Sequence, residues 1–274
     1  MKPICETLEV ARSNVSERIS KNTGQPRKHY RKADDCWLLP MIRELVDERP
    51  TYGYRRIHAV LKRRLAEIGK PAVNHKRVYR IMKQQGLLLA RHTGKKQTRS
   101  HEGVVITLKS NLRWCSDVFE IPCWNGEVVR VAFSMDCCDR EVTSFVATTG
   151  WIDAEVIRDL MTQSLESRFG GVEASPHKIE WLSDNAKYYT AKETLRFAEA
   201  LGLVPCTTPA YSPESNGMAE AFVKTFKRDY VHIHDRPDAK TVIAQLPQWF
   251  EDYNENHPHK GLKMLSPREF IRRN

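Results

Sequence analysis

Three acidic residues in the last two thirds of the chain have the types and the spacing of a catalytic carboxylate set. Asp117 lies in the string WCSDVFE, Asp184 in EWLSDN and Glu220 in SPESNGMAE, and 35 residues (220 − 184 − 1) separate the last two. Each acid stands at the end or edge of a predicted regular element, where side chains from distant parts of a chain can share one metal ion. The pattern therefore indicates a shared metal site.

The spacing alone is weak evidence. A chain with 34 acidic residues contains pairs at this separation by chance, and an aspartate at a strand end is commonly a turn or capping residue. Glu214 rivals Glu220 on the arithmetic, but the placement of Glu220 in a helix favours Glu220. Asp136 and Asp139, spaced by three around two cysteines, are interpreted as turn and scaffold residues rather than as further ligands.

The elements around the acids follow from hydrophobic patterning. Asp117 opens a strand over 118–122, Asp184 follows a short buried strand over 179–182, and Glu220 lies in the first turns of a helix. The apolar positions of that helix share one face, and three basic residues lie on the adjoining face. An acid beside a basic stripe is unusual on a purely structural helix. The apolar positions are Ala219, Phe222, Val223, Phe226 and Tyr230, and the basic ones are Lys224, Lys227 and Arg228.

The remaining pattern predicts an α/β domain with a mixed five-stranded sheet and helices on both faces. An Asn-Gly step at 125–126 predicts a type I′ hairpin turn, and Asp153 is placed to cap a helix. Strand one and strand four should be neighbours, which brings Asp117 and Asp184 together. Strands are predicted over 118–123, 128–135, 142–148, 179–182 and 204–207, and helices over 153–169 and 191–201.

Composition limits the class of protein. A chain of 274 residues with 41% hydrophobic side chains can bury one large and one small core. It has no apolar run near the ~20 residues that span a bilayer and no apolar secretory core at its start, so a cytoplasmic location without a membrane partner is expected. Seven cysteines without a Cys-x-x-Cys pair encode neither a disulfide framework nor a zinc knuckle. His257 and His259 are interpreted as part of a surface turn.

The positive charge is concentrated at the front of the chain. Residues 1–100 contain 24 Lys+Arg against 9 Asp+Glu (+15), and residues 101–274 contain 20 against 25 (−5), which together give the net charge of +10. Phosphate backbone is the expected partner of such a segment, because neutralised phosphates release condensed counterions.

The basic segment has the pattern of a helix-turn-helix. One helix is predicted over 54–65, and Asn74, after a Gly/Pro turn at 69–71, can cap a second. In the second helix Val78, Ile81 and Met82 face inward, so its basic residues face outward toward DNA. The alternative is a basic amphipathic helix that is only a solvated face. The predicted DNA contacts are Arg55, Arg56, Lys76, Arg77, Arg80 and Lys83.

Several strings together resemble one family. WCSD, WLSDN and SPESNGMAEAFVKTFKRD resemble motifs of the OrfB-type DDE transposases of bacterial insertion sequences (the insertion-sequence-three family), relatives of retroviral integrases. RPTYGYRRI with NHKRVYRIM is similar to the family's helix-turn-helix, and YNENHPHKGL with SPREF is similar to its C-terminal tail. The resemblance covers about residues 34–272 and implies a ribonuclease H-like core preceded by an all-α helix-turn-helix domain. Ala186 stands where many relatives have glycine.

The resemblance implies that Asp117, Asp184 and Glu220 are catalytic and bind two Mg²⁺ ions, with Mn²⁺ as a substitute. Converging carboxylates stay ionised only beside a cation. Two ions ~3.5 to 4 Å apart would activate the attacking water or 3′-hydroxyl and stabilise the leaving oxygen of a phosphodiester. The family likeness further implies that Lys224, Lys227 and Arg228 hold phosphates and that Asn216 and Gly217 shape the loop that admits the backbone.

The expected function is that of a transposase, which cuts DNA at its element's terminal repeats and joins the 3′-hydroxyl to target DNA. It would act as a homo-oligomer on DNA, associated with the bacterial nucleoid. Two alternatives stay open: a ribonuclease H-like nuclease without strand transfer, and a catalytically silent DNA-binding regulator from a decayed element.

Five segments are expected along the chain. The first resembles the last helices of a further helix-turn-helix and begins abruptly, so we hypothesise that the active species is a fusion with the product of an upstream reading frame. The segments are a partial helix-turn-helix-like segment (1–33), the basic helix-turn-helix domain (34–90), a polar linker (91–103), the catalytic core (104–235) and a C-terminal helical tail (236–274).

Overall fold

The computed structural model describes residues 35–90, 107–171, 174–207 and 217–274. The chain divides into two compact units, Met1–Pro40 and Met41–Asn274. Of the first unit only residues 35–40 are described, and they begin a helix. The predicted segments at 1–33 and 91–103, together with Glu214 and Asn216, lie outside the described residues.

In the described part of the chain, three helices precede the sheet, and the first of them begins in the first unit. They are α1 (Asp35–Glu48), α2 (Tyr54–Glu67) and α3 (His75–Gln84). The Asn74 side chain accepts a hydrogen bond from the backbone N–H of Lys76 at 2.8 Å, which confirms the predicted cap of α3. The apolar faces of α2 and α3 pack together as predicted. Their buried side chains are Ile57, Leu61, Leu65, Val78, Ile81 and Met82.

The sheet has five strands in the order β3-β2-β1-β4-β5. The pairs β1–β2 and β2–β3 are antiparallel, and β4 runs parallel to β1 and to β5. The predicted mixed sheet and the neighbouring of strands one and four are confirmed. The strands are β1 (Arg113–Pro122), β2 (Val128–Asp136), β3 (Val142–Thr148), β4 (Ile179–Ser183) and β5 (Leu203–Thr207).

Helices cover both faces of the sheet, because alternate residues of each strand point to opposite sides. Trp114 of β1 belongs to the apolar cluster under α4, whereas Cys115 and Phe119 belong to the cluster under α7 and α8. Asp153 caps α4 as predicted, accepting from two backbone N–H groups. The helices are α4 (Ala154–Phe169), α5 (Lys187–Thr190), α6 (Lys192–Ala200), α7 (Gly217–Asp229), α8 (Ala239–Asn256) and α9 (Pro267–Arg273).

The turn between β1 and β2 corrects the predicted type I′ hairpin. A type I′ turn needs positive φ at both central residues, but between these strands only Gly126 has it, at 91°. The N–H of Gly126 donates to the carbonyl of Cys123 at 3.2 Å, and the N–H of Cys123 donates to that of Glu127 at 2.8 Å. Asn125 keeps negative φ because its side chain bonds Glu127 instead, accepting from the backbone N–H at 3.0 Å. The loop is therefore one residue longer than predicted, with glycine in the left-handed position.

The predicted surface turn at His257 and His259 is wrong. His257 is fully buried, and its Nδ1 lies 3.0 Å from the hydroxyl of Tyr52. Its ring stacks on Tyr253 with centroids 5.2 Å apart. Burial lowers the pKa of His257 well below its ordinary value and lowers the pKa of His259 to about 3. The polar string after α8 gave no sign of this burial, because the covering residue, Tyr52, comes from 205 positions earlier in the chain.

Asp136 and Asp139 have the scaffold role that the sequence suggested. Asp136 is buried and accepts from the backbone N–H groups of Asn111 at 2.6 Å and Cys138 at 2.7 Å. Asp139 pairs with Arg168 at 2.5 Å. These bonds close the β2–β3 turn. Within the described ranges, no helix is long and apolar enough to cross a bilayer.

Candidate active site

Asp117 lies within β1, and Asp184 directly follows the parallel strand β4. Cys115 pairs with Leu182 across these strands, and two residues further along each strand stand the two aspartates. Cys115 and Leu182 both face the cluster under α7. Because side chains two residues apart in a strand share a face, Asp117 and Asp184 lie side by side on the face that α7 covers.

Glu220 reaches the same face from above, in the first turn of α7. Ala219 is buried and Phe222 packs on Phe133 with ring centroids 4.5 Å apart. Phe133 is in turn the β2 partner of Asp117. The apolar face of α7 thus places the turn that carries Glu220 above the two aspartates. Three predicted residues from distant parts of the sequence are brought to one place.

The electrostatic environment of Asp117 includes the charges of the two other acids. Burial, together with the negative charges of Asp184 and Glu220, raises the pKa of Asp117 to about 6. The backbone N–H of Val118, 2.8 Å from Asp117 Oδ1, and the charge of Lys227 oppose the rise only in part. A half-buried carboxyl group with this pKa is the kind of group that functional sites contain.

The carboxylate groups of the site have the charge and the oxygen atoms that a divalent cation needs, but they do not form a closed coordination shell. In the part of the chain that the structure describes, no three His, Cys, Asp or Glu side chains are gathered closely enough to hold a metal ion. The Glu220 carboxylate instead accepts from Lys224 Nζ at 3.3 Å. Among the same residues, neither Asp117 nor Asp184 has an ion pair within 4.0 Å. Uncompensated carboxylate oxygens are what Mg²⁺ or Mn²⁺ would neutralise.

Two tyrosines lie beside the acids and were not predicted from the sequence. Tyr188 and Tyr189 lie on the one-turn helix α5, and burial, with the charges of Asp184 and Asp117, raises the pKa of Tyr188 to about 12. Tyr189 is buried, with its hydroxyl 2.6 Å from the Oγ of Ser116. It therefore fixes β1 from the opposite face, one residue before Asp117. The sequence feature that could have indicated them is the aromatic pair that begins four residues after Asp184. It lies in a helix of one turn, which is too short to show helical periodicity.

Comparisons with known proteins identify the family of the chain. The model of an HTH-like domain matches residues 33–96, and two models of an integrase core domain match 108–213 and 202–267. The chain is 49% identical over 247 residues to the transposase InsD for insertion element IS2A/D/F/H/I/K of Escherichia coli, a match that covers 89% of this chain and 81% of the relative. It is equally similar to the transposase InsD for insertion element IS2-9 of Escherichia coli strain K12, of which it covers 80%. The chain belongs to the OrfB-type transposases of bacterial insertion sequences.

The fold of the transposase is also found among solved structures. A chain of the simian T-cell lymphotropic virus intasome in complex with the PP2A regulatory subunit B56 gamma matches with a TM-score of 0.50 at 15% identity. The match covers 76% of the transposase and 69% of the viral-complex chain. Together with the integrase core models, the sheet order and its flanking helices confirm the predicted ribonuclease H-like class.

The last helix of the HTH-like domain of the transposase, α3, presents basic residues on its outer side. Lys76 and Lys83 are exposed, and Tyr79 lies between them at the surface. Arg77 and Arg80 are half-buried on the same helix. On α2, Arg55 is exposed and its guanidinium lies 5.5 Å from the ring centre of Tyr54. This surface is open to DNA, and contact with DNA at these residues stays a prediction.

The other predicted phosphate contacts divide into two groups. Lys224 and Lys227 lie on the acid side of α7, with Lys227 Nζ 5.8 Å from the ring centre of Phe119. Arg228 and Arg56 instead turn to Asp229, Arg228 at 2.6 Å and Arg56 at 2.9 Å. The first group therefore surrounds the acid site, whereas the second is already engaged with a carboxylate of the protein.

Proposed function

We propose that this transposase cuts one strand of DNA at the terminal repeats of its element and joins the freed 3′-hydroxyl to another phosphodiester. Asp117, Asp184 and Glu220 are the residues that carry the reaction, and they bind two divalent cations, Mg²⁺ in the cell. The juxtaposition of Asp117 and Asp184 under the Glu220 turn, with no ion pair on either aspartate in the described structure, carries this proposal.

Each acid has a distinct position in the reaction. Asp117 sits on the rigid central strand β1, so its carboxylate defines the fixed side of the site. Asp184 is held by the backbone N–H of Ala186 at 3.0 Å, which aims one of its oxygens and leaves the other for a ligand. Glu220 is 41% exposed on its side chain and its partner Lys224 is 75% exposed, so this pair exchanges readily with solvent and substrate. When bound, the cations polarise the phosphodiester and lower the pKa of the attacking hydroxyl.

The basic residues guide the DNA. Lys224 and Lys227 lie next to the acids and bind the phosphates that flank the reacting one, since a phosphate can replace Glu220 as the partner of Lys224. Lys76, Arg77, Arg80 and Lys83 of α3 bind the terminal repeat, together with Arg55. The protein acts as an oligomer on DNA because two element ends are processed, and fusion to an upstream-frame product is part of the same proposal.

The test is a strand-transfer assay on a labelled duplex from the end of the encoding element. Wild-type protein with Mg²⁺ should give both cut and joined products, and Asp184→Asn and Glu220→Gln should give neither while still binding the duplex. EDTA should remove both products without removing binding.

Two other results would favour the alternatives. Cut products without joined ones would indicate a nuclease. Binding without any product, also after fusion to the upstream frame, would indicate a DNA-binding regulator. The open charge on Asp117 and Asp184 argues against a regulator, because a protein that only binds DNA gains nothing from half-buried acids without an ion pair.

A further inference from the structure

Three arginines at intervals of seven residues attach the helix-turn-helix to the back of the chain. Arg49 lies just before α2, and Arg56 and Arg63 lie on one face of it. Arg49 forms two hydrogen bonds to Asp252 of α8, at 2.6 and 2.5 Å. Arg63 pairs with Glu269 of α9 at 2.5 Å. Arg56 is the middle one, and it pairs with Asp229 at 2.9 Å.

Asp229 is the last residue of α7, the helix whose first turn carries Glu220. Its side chain is fully buried, and it takes a second pair of bonds from Arg228 at 2.6 and 2.7 Å. His257 Nδ1 lies 3.9 Å away, but burial lowers the pKa of His257 well below its ordinary value, so that the ring is neutral. The charge of Asp229 is therefore balanced by the two guanidinium groups.

This arrangement makes Arg56 a poor DNA contact. A phosphate that recruited Arg56 would leave the buried Asp229 with Arg228 as its remaining guanidinium partner, and weaker compensation of a buried charge is unfavourable. Arg56 is also only 26% exposed, in contrast to the exposed lysines of α3. The face of α2 that carries Arg56 and Arg63 is turned to the tail, which leaves α3 as the face available to DNA.

We infer that the ion pair between Arg56 and Asp229 is a positioning device that sets where the DNA is cut. The pair joins the helix-turn-helix directly to the helix that bears Glu220, so α3 on the terminal repeat stands at a fixed distance from the acid site. α7 spans 13 residues from one end to the other, and a helix of this length transmits position rigidly. This inference rests on the proposed function, and Arg56 and Asp229 act through Glu220 rather than on the DNA itself.

The test uses the full chain, a terminal-repeat duplex labelled at one end, Mg²⁺ and gels that resolve single nucleotides. Arg56→Gln is the main variant because Asp229 keeps Arg228 and the fold is retained. Arg64→Gln is the matched control, since Arg64 is on the same helix but pairs with Glu48 of α1 at 2.5 Å. Asp229→Asn serves as the second variant, with removal of the buried charge instead of its partner.

Arg56→Gln should cut at several neighbouring phosphodiesters, with at least a ~10-fold loss at the wild-type position, because misplacement by ~1 Å is enough for a large loss of rate. Its affinity for the duplex and the salt dependence of that affinity should match those of wild type. Arg64→Gln should cut as wild type does. A role that is merely structural would lower the amount of active protein and leave the cut position unchanged.

Two results would overturn the inference. One is an unchanged cut position in Arg56→Gln, whether or not the yield falls. The other is a salt slope smaller by about one in Arg56→Gln with tighter binding in Asp229→Asn, which would make Arg56 a phosphate contact that Asp229 restrains.

A second measurement separates failure of the Arg56–Asp229 ion pair as a positioning device, here called the clasp, from failure of the proposed function. If wild-type protein cuts no DNA, the proposed function fails, and amide hydrogen exchange then decides on the clasp. Exchange over α2 and the last turn of α7 should rise together by about 10-fold in Arg56→Gln and should stay unchanged in Arg64→Gln. Unchanged exchange in Arg56→Gln would overturn the inference without any activity being needed.

Discussion

The two ends of α7 place acids in opposite surroundings. At its start, Glu220 lies above Asp117 and Asp184, and the two aspartates have no ion pair in the described structure. At its end, Asp229 is fully buried and held by two arginines. Nearby Asp252 follows the same rule: burial raises its pKa, but the hydrogen bonds and charge of Arg49, together with hydrogen bonds from Tyr230 and Asn256, lower it overall.

Structural and functional acids in this protein differ in the source of their counter-charge. A buried carboxylate that only holds a fold together is supplied with its counter-charge by the same chain, because an unpaired buried charge is too costly. Asp117 and Asp184 lack that supply, and burial, together with the charges of Asp184 and Glu220, raises the pKa of Asp117 to about 6. Their counter-charge is expected from outside the chain, as divalent cations.

The largest expected effect is on catalysis at the start of α7. Asp184→Asn keeps the size of the side chain but removes the charge, so cleavage of the terminal-repeat duplex in Mg²⁺ should fall by at least ~10³-fold. Single-turnover cleavage measures it. Asp159→Asn, an exposed aspartate on α4, is the control and should cut normally. Retention of more than a tenth of the activity in Asp184→Asn would remove this residue from the site.

The next effect is on stability at the end of α7. Asp229→Asn leaves Arg56 and Arg228 without their common carboxylate, so the free energy of unfolding should fall by about 3 kcal/mol. Urea unfolding followed by circular dichroism measures it, with Asp159→Asn again as the control. A loss below ~1 kcal/mol would mean that the two arginines find solvent as easily as they find Asp229.

Asp117→Asn should change the free energy of unfolding in the opposite direction from Asp229→Asn. Because the pKa of Asp117 is about 6 in the folded state and ~3.9 when unfolded, the native state binds the proton more tightly and stability falls as the pH rises from about 4 to about 6. The whole penalty is present at pH 7.5, where Asp117→Asn without divalent cations should be more stable than wild type by about 2 kcal/mol. At pH 4 the difference should disappear. A variant less stable than wild type at pH 7.5 would contradict the comparison between the two ends of α7.

The smallest effect is on the cation requirement. Below about pH 6 a proton competes with the cation for Asp117. The Mg²⁺ concentration for half-maximal cleavage should therefore rise about 10-fold between pH 7 and pH 5. Cleavage titrations at the two pH values measure it, after correction for the pH dependence of the rate at saturating Mg²⁺. An unchanged requirement would mean that Asp117 is not a ligand.

Much of the acid site was predictable, because each acid occurs next to a local pattern. The apolar run before Asp184 predicts β4, and the apolar face around Phe222 predicts α7. The neighbouring of β1 and β4 then follows from the α/β order. The resemblance to a transposase family ties these elements to one activity.

The clasp at Asp229 was not predictable in the same way. Arg56 lies in the basic front segment and Arg228 on a basic stripe of a helix, and the sequence and the family likeness assign both to DNA. Their common partner is 173 residues from Arg56 in the chain, and only the packing of α2 against the tail brings them together. The burial of His257 has the same cause. Long-range packing of charged side chains leaves no periodic signal in a sequence.

The most direct test of the central claim is to count bound Mn²⁺ by electron paramagnetic resonance on the transposase with terminal-repeat duplex, after subtraction of the Mn²⁺ that the duplex binds alone. The wild type should bind about two ions per acid site, Asp184→Asn should lose at least one of them, and Asp159→Asn should lose none. Equal Mn²⁺ binding by wild type and Asp184→Asn would mean that Asp117, Asp184 and Glu220 are not the cation site.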